Sequence, residues 1–295
     1  MKKLNPSSDE RKLVDRLIPD PSHGRLLGIL ATTYEMQPEF FETDFLPTML
    51  GLGAWDDRNW TSRIALEKNL AELEAATMLL DARPYRRRPR SLRVEVVPVA
   101  LEAVRILHAK ILLGVYEKSV KLMVGSANLT EPGYRRNREI VAVLTGSAQR
   151  PAEAKLIASA IRYMGDLLSQ WMTTSASQLQ DLALERLDEW AVEKTEEDKW
   201  FVWGGGKQAL WRQFLDLWPT TDQVEQITIV SPFWSEEDAS GPIATFVTSL
   251  QESDNLAADA RLLLLTEAAP DKQATYKPKL PNSTPTYYLA KLRRM

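Results

Sequence analysis

The chain has 295 residues, enough for two ordinary domains or one two-lobed unit. It contains no cysteine, which excludes disulfides, thiolate zinc sites and cysteine nucleophiles and suits a reducing compartment, the cytoplasm. With a net charge of −3 it has no general affinity for polyanions, so any nucleic-acid contact must come from a local patch.

In chain order, the opening MKKLNPSSDERKLVDR has lysines but no apolar h-region, so no secretory signal is expected. No run of about eighteen apolar residues follows anywhere, and no membrane span is expected. Residues 25–35 (RLLGILATTYE) predict a buried strand after Gly24. PEFFETDFLPTMLGL has helical spacing with Pro38 near its start. Residues 62–76 predict an amphipathic helix, and 77–81 (TMLLD) a second strand. An arginine- and proline-rich connection, ARPYRRRPRSLR, comes next. The segments 94–100, 108–116, 120–126 and 139–145 are β-rich, with glycine or charged breaks between them. Residues 151–197 predict two helices separated near 173–177 and ending in a charged run. A second β/α pattern then begins: a strand at 226–232, a helix at 241–253 and a strand at 260–267.

Chemistry concentrates in residues 108–139. His108-Ala-Lys110, Gly125-Ser-Ala-Asn128 and Asn137-Arg-Glu139 supply a nucleophile, a cation, amide donors and a carboxylate, a set suited to attacking a phosphodiester without a metal. In a strand, residues i and i+2 share a face, so His108 with Lys110, Ser126 with Asn128, and Asn137 with Glu139 can point at one place. Neutral His108 would attack phosphorus and form a phosphohistidine, dividing one hard displacement into two easier ones. Glu139 would accept the other ring N–H and fix the tautomer. Lys110 and Asn128 would stabilise the nonbridging oxygens, and Ser126 would hold a phosphate oxygen or orient a neighbour. Gly125 would let the backbone approach the substrate. Asn137 reads equally well as a second amide at the site or as a turn residue. No metal or cofactor is expected.

The stretch HAKILLGVYEKSVKLMVGSANLTEPGYRRNRE resembles the signature of the phospholipase D superfamily: H-x-K, then four residues and Asp, then G-[ST]-x-N and a downstream Glu. The Asp place is Val115 here, with Glu117 the nearest carboxylate. The tyrosyl-DNA phosphodiesterase branch likewise lacks that Asp and keeps His, Lys and Asn. The resemblance implies an α/β fold with a mixed sheet, arranged as a phospholipase D-like half-domain (1–148), a helical connector (149–200) and a partial second half-domain (201–295). It implies a metal-independent phosphodiesterase, a nuclease in the simplest reading. Two-motif relatives use a second histidine to protonate the leaving oxygen. The other histidine here, His23, has no H-x-K context. The resemblance therefore implies a homodimer sharing one centre, or a complementing chain. Helicase or defence-system partners are an association of bacterial relatives.

Two arginine groups are candidate phosphate contacts: Arg86, Arg87 and Arg88 within the connection 82–93, and Arg135, Arg136 and Arg138 between the Asn128 and Glu139 positions. The Gly204–Lys207 run lacks the spacing of a phosphate loop. Trp200 and Trp203 read as core or turn residues, and Ser231–Trp234 as a possible cleft edge. The alternative function is a catalytically incomplete subunit that binds nucleic acid or a partner protein. A phospholipid-cleaving enzyme is disfavoured because no anchor is visible.

Overall fold

The first strand, Leu26–Thr33 (β1), is buried along its whole length, so both of its faces must be covered. In the computed structural model, which describes residues 12–52, 59–102, 105–191, 208, 210–217, 223–230, 242–267 and 287–292, β1 lies near the middle of a six-stranded mixed sheet. The order is β3-β2-β1-β4-β5-β6, with β2 at Ala75–Asp81, β3 at Glu95–Val99, β4 at Lys110–Tyr116, β5 at Val120–Gly125 and β6 at Val141–Gly146. β1, β2 and β3 run parallel, and β4, β5 and β6 alternate in direction beside β1. Pro98 sits in β3, an edge strand, where a missing N–H is tolerated.

One face is covered by a continuous helical run, α1 (Pro38–Phe40), a π-helical turn (Phe41–Phe45) and α2 (Leu46–Met49), together with α3 (Trp60–Ala71) and a 3-10 turn at Leu13–Leu17. Their apolar side chains, Phe41, Phe45, Leu46 and Leu66 among them, join Ile29, Met78, Leu112 and Tyr116 of the sheet in one cluster. The other face carries α4 (Pro151–Leu168), packed on β5 and β6, and α5 (Thr174–Trp190), packed on β1 and β2. Gly28 makes that approach possible, because a Cβ there would lie 2.6 Å from both Leu179 methyls. Glu95 ties α5 to the sheet by accepting from Thr77, Thr173 and Ser175 at 2.6–2.8 Å. Burial works to raise its pKa, but these hydroxyls outweigh it and hold the carboxyl below its ordinary value.

The chain divides into two compact units, residues 1–201 and 202–295. The segment expected as a connector thus supplies α4 and α5 to the first sheet. Within the second unit, β7 (Val224–Val230), β8 (Leu256–Glu267) and β9 (Tyr287–Leu292) form a parallel sheet in that order. α6 (Leu210–Asp216) and α7 (Pro242–Glu252) belong to the same unit, with Leu215, Val224 and Leu250 buried together. The expected strand–helix–strand order is present there, and β9 and α6 were not anticipated. Trp200, Trp203, Gly204–Lys207, Ser231–Trp234 and the charged run after residue 191 lie outside the described residues.

The α/β, mixed-sheet reading agrees with the structure, and two details differ. The helix expected over 62–76 starts at Trp60 and ends at Ala71, because Ala75 and Ala76 already pair with β1. It buries only Leu66 and Leu70, so its apolar stripe is narrower than expected. The motif residues also fall at strand ends: β4 begins at Lys110, β5 ends at Gly125 and β6 begins at Val141.

Gly125 serves strand pairing. A Cβ there would lie 2.5 Å from the Ile140 carbonyl oxygen and 3.2 Å from Val141 Cα, and backbone cannot yield cheaply. Gly125→Ala is expected to cost roughly 1–3 kcal/mol of stability, the range for overpacking. Denaturant titration measures this, and an unchanged midpoint would contradict the tight β5–β6 pairing at this end.

Candidate active site

The topology brings one end of every strand of the first sheet together. The C-terminal ends of β1, β2 and β3 lie beside the start of β4, the end of β5 and the start of β6, through the pairs Thr33–Leu80, Asp81–Val99, Thr32–Ile111, Lys110–Gly125 and Gly125–Val141. Ligands of open α/β sheets bind at such an end. His108, Lys110, Ser126, Asn128 and Glu139 all fall on this rim.

Lys110 is the residue most constrained by its surroundings. It is 9% exposed and shares a strand face with Leu112 and Tyr116 of the core cluster. Its Nζ donates to His108 Nδ1 and to the His108 carbonyl, both at 2.9 Å. Burial pulls its pKa down to about 8, against the nearby negative charge of Glu139. His108 is also drawn below its ordinary value, first by burial and then by the Lys110 charge, with Asp81 opposing. An ammonium can only donate, so Nδ1 accepts from charged Lys110 and the ring proton sits on Nε2. The Tyr34 ring packs 5.2 Å from the imidazole, centroid to centroid.

Glu139 accepts from Ser126 Oγ and, at 3.1 Å, from Asn137 Nδ2. Among the described residues it makes no hydrogen bond to His108, so the expected triad contact is absent and Glu139 acts on Lys110 through charge. Ser126 is locked further, because its Oγ accepts from Ile140 N at 3.0 Å. Asn137 thus holds the carboxylate. Asn128 is half-buried, with its Oδ1 3.3 Å from Thr33 Oγ1 at the end of β1.

Three positioning residues escaped the sequence reading. Thr32 Oγ1 donates to Ala109 O at 2.9 Å and accepts from Ile111 N at 3.2 Å, bracketing Lys110. Thr33 Oγ1 donates to Glu35 O and accepts from Leu129 N. Asp81, 2% exposed, accepts from Leu107 N at 2.8 Å and Arg83 N at 3.0 Å, anchoring the segment that presents His108. The available signal was a fully apolar strand ending in Thr-Thr, and a second one ending in Asp.

Val115, in the place of the signature's Asp, is fully buried on the strand face opposite Lys110. Glu117 lies at the far end of β4, bound to the Arg25 backbone and guanidinium. Neither position reaches the site. A carboxylate at 115 would be a buried charge.

The arginines separate into distinct settings. Arg135 is ion-paired with Asp44, and Arg136 Nε donates to Glu131 at 2.8 Å. Arg138 is exposed and has no side-chain partner among the described residues. Arg86 donates to the carbonyls of Arg83 and Tyr85. Arg87 lies 3.6 Å from Glu39, and Arg87 and Arg88 line a cleft of about 440 Å³ that contains no motif residue. Among the described residues no three His, Asp or Glu side chains gather to hold a metal ion, and no helix is long and apolar enough to cross a membrane.

No protein-family model matches the chain, and no curated protein sequence matches it. Solved structures are similar to it, two of them as follows. NucT from Helicobacter pylori has 11% identity and a TM-score of 0.28, over 55% of this chain and 79% of that one. Polyphosphate kinase from Porphyromonas gingivalis has 10% identity and a TM-score of 0.41, over 95% of this chain and 38% of that one. In its own sheet and motif placement, the chain is a mixed α/β fold that sets the His-x-Lys and Gly-Ser-x-Asn residues on one rim.

At neutral pH the fold holds Lys110 charged against the desolvation that lowers its pKa, which costs stability. Its folded pKa lies below the unfolded one, so the penalty is complete below about pH 8 and fades as pH rises toward 10.5. Lys110→Met is therefore expected to be more stable than the parent at pH 7, with the gap closing by pH 10. Denaturant midpoints at the two values test this, and a gap independent of pH would contradict the depressed lysine.

Proposed function

We propose that this chain is a metal-independent phosphodiesterase acting on nucleic acid, a nuclease working through a phosphohistidine on His108. The observation that carries the proposal is the buried Lys110 ammonium, 2.9 Å from His108 Nδ1 at the ligand-binding end of the sheet. An incoming phosphodiester offers that ammonium two anionic oxygens. Lys110 turns from the ring to the phosphoryl group, the ring proton passes to Nδ1, and Nε2 is freed to attack. The N–P bond forms as the bond to the leaving oxygen breaks, and the leaving oxygen takes a proton. Water then attacks the phosphohistidine, the P–N bond breaks, and a phosphomonoester and free imidazole result. Lys110 and Asn128 stabilise charge on the nonbridging oxygens. Ser126, Asn137 and Glu139 form a linked group that keeps negative charge beside Lys110.

Pairing of two chains about a two-fold axis would bring a second imidazole as acid. Within one chain, the group able to take that part is Lys110. The absence of cysteine fits a cytoplasmic setting. The incomplete-subunit reading is favoured by one observation: this rim carries a single imidazole among the described residues.

The test is hydrolysis of bis(p-nitrophenyl) phosphate in excess EDTA. EDTA-resistant turnover that disappears in His108→Ala is expected, and equal activity in the variant would overturn the nucleophile. The pH profile is a second check. Neutral His108 and charged Lys110 give an acid limb below 6.5 and an alkaline limb near 8. Lys110→Arg stays charged, so in any turnover it retains the alkaline limb should vanish.

A further inference from the structure

Beside Glu139 and Asn137 the surface opens into a groove of about 600 Å³. It begins at the proposed reaction centre, because those two residues line it. Its cations come from two distant parts of the sequence: Lys12 and Arg16 at the 3-10 turn Leu13–Leu17, and Arg138 from the segment before β6. Lys12 and Arg138 are exposed, and neither side chain has a partner among the described residues. Arg135 also lines the groove but spends its charge on Asp44. Leu13, Val141 and Val143 add apolar surface, with Val143 39% exposed.

A groove lined by both cations and exposed apolar surface offers something to each part of an unpaired nucleic-acid strand. Phosphates meet the cations, and base faces meet the apolar surface. A duplex satisfies only the first, since its bases are stacked and paired. We infer that the groove is a binding track for single-stranded nucleic acid, in which Lys12 and Arg138 hold phosphates flanking the scissile one. This rests on the phosphodiesterase reading for its direction, since the groove starts at Glu139, whose charge acts on Lys110. It adds to that reading a strand preference and an N-terminal contact.

The test is fluorescence anisotropy of a labelled oligothymidylate, in the His108→Ala background so that no strand is consumed. Lys12→Ala with Arg138→Ala is expected to weaken binding several-fold. It should also flatten the dependence of log K on log salt by about 0.7 for each cation removed, the single-strand value. Lys118→Ala is the control, because Lys118 lies in the β4–β5 turn at the opposite end of the sheet, and it should change neither quantity. The track is overturned if the double variant behaves like Lys118→Ala, if a duplex of the same length binds more tightly than the strand, or if no strand binds. Strand binding sensitive to Lys12 and Arg138, with no hydrolysis by the intact protein, would leave the track standing and sink the phosphodiesterase. EDTA-resistant hydrolysis with strand affinity indifferent to both residues would do the reverse.

Discussion

A buried ammonium must find acceptors, and at Lys110 that requirement organises the site. The side chain lies on the core face of β4 with its charge at the rim, where the acceptors within reach are the His108 carbonyl and Nδ1. Both belong to the residue two places earlier, so satisfying the lysine fixes the turn of chain that carries the imidazole. Thr32 holds the same turn from β1, bonding the backbone on either side of Lys110. Asp81 holds it from β2 through Leu107 N. On the proposed reading, the penalty for burying the charge falls where a desolvated cation would act, since fixed charges act most strongly on a developing anion where water is excluded.

The sheet explains how residues from four strands meet. β1, β2 and β3 end at this rim because they are parallel. β4 and β6 begin there and β5 ends there because they alternate. β1 is parallel to one neighbour and antiparallel to the other, so its terminal Thr32 and Thr33 sit between the two arrangements. Thr32 serves the His108–Lys110 turn, and Thr33 serves the loop carrying Asn128 and Leu129. Gly125 completes the rim by letting the Ile140 carbonyl approach, so that Ser126 exchanges hydrogen bonds with Ile140 and reaches Glu139.

What the sequence made legible was local. His-x-Lys, Gly-Ser-x-Asn and Asn-x-Glu lie within residues 108–139, and two short connections fold them together, so their grouping could be read directly. The strand assignments were legible for the same reason, since β1, β2 and β4 are continuous apolar runs. What could not be read were contacts decided by register across long separations. The roles of Thr32, Thr33 and Asp81 depend on pairings with residues up to 96 positions away. The Glu139 contact was misjudged because its partner is chosen by which side of β6 faces β5. Val115 stands in the signature's Asp place, and strand alternation turns it into the core.

The remaining chemical demand is for a proton. His23 cannot supply it. Its carbonyl accepts from Lys118 N and its ring packs 5.4 Å from Tyr116, which places it at the far end of β4. At about 3.3 Å per residue, that strand separates it from Lys110 by roughly 20 Å. Lys110 itself is better matched. Burial brings its pKa down to about 8, so in the proposed reaction it would meet the phosphodiester charged and have a proton to give the leaving oxygen. Once neutral, it can accept the proton of the water that opens the phosphohistidine, which restores the starting state. In the proposed reaction, one imidazole and one desolvated lysine then close the cycle within a single chain. The burial that destabilises the folded protein is the same burial that brings the lysine into the range where it can both hold charge and release a proton.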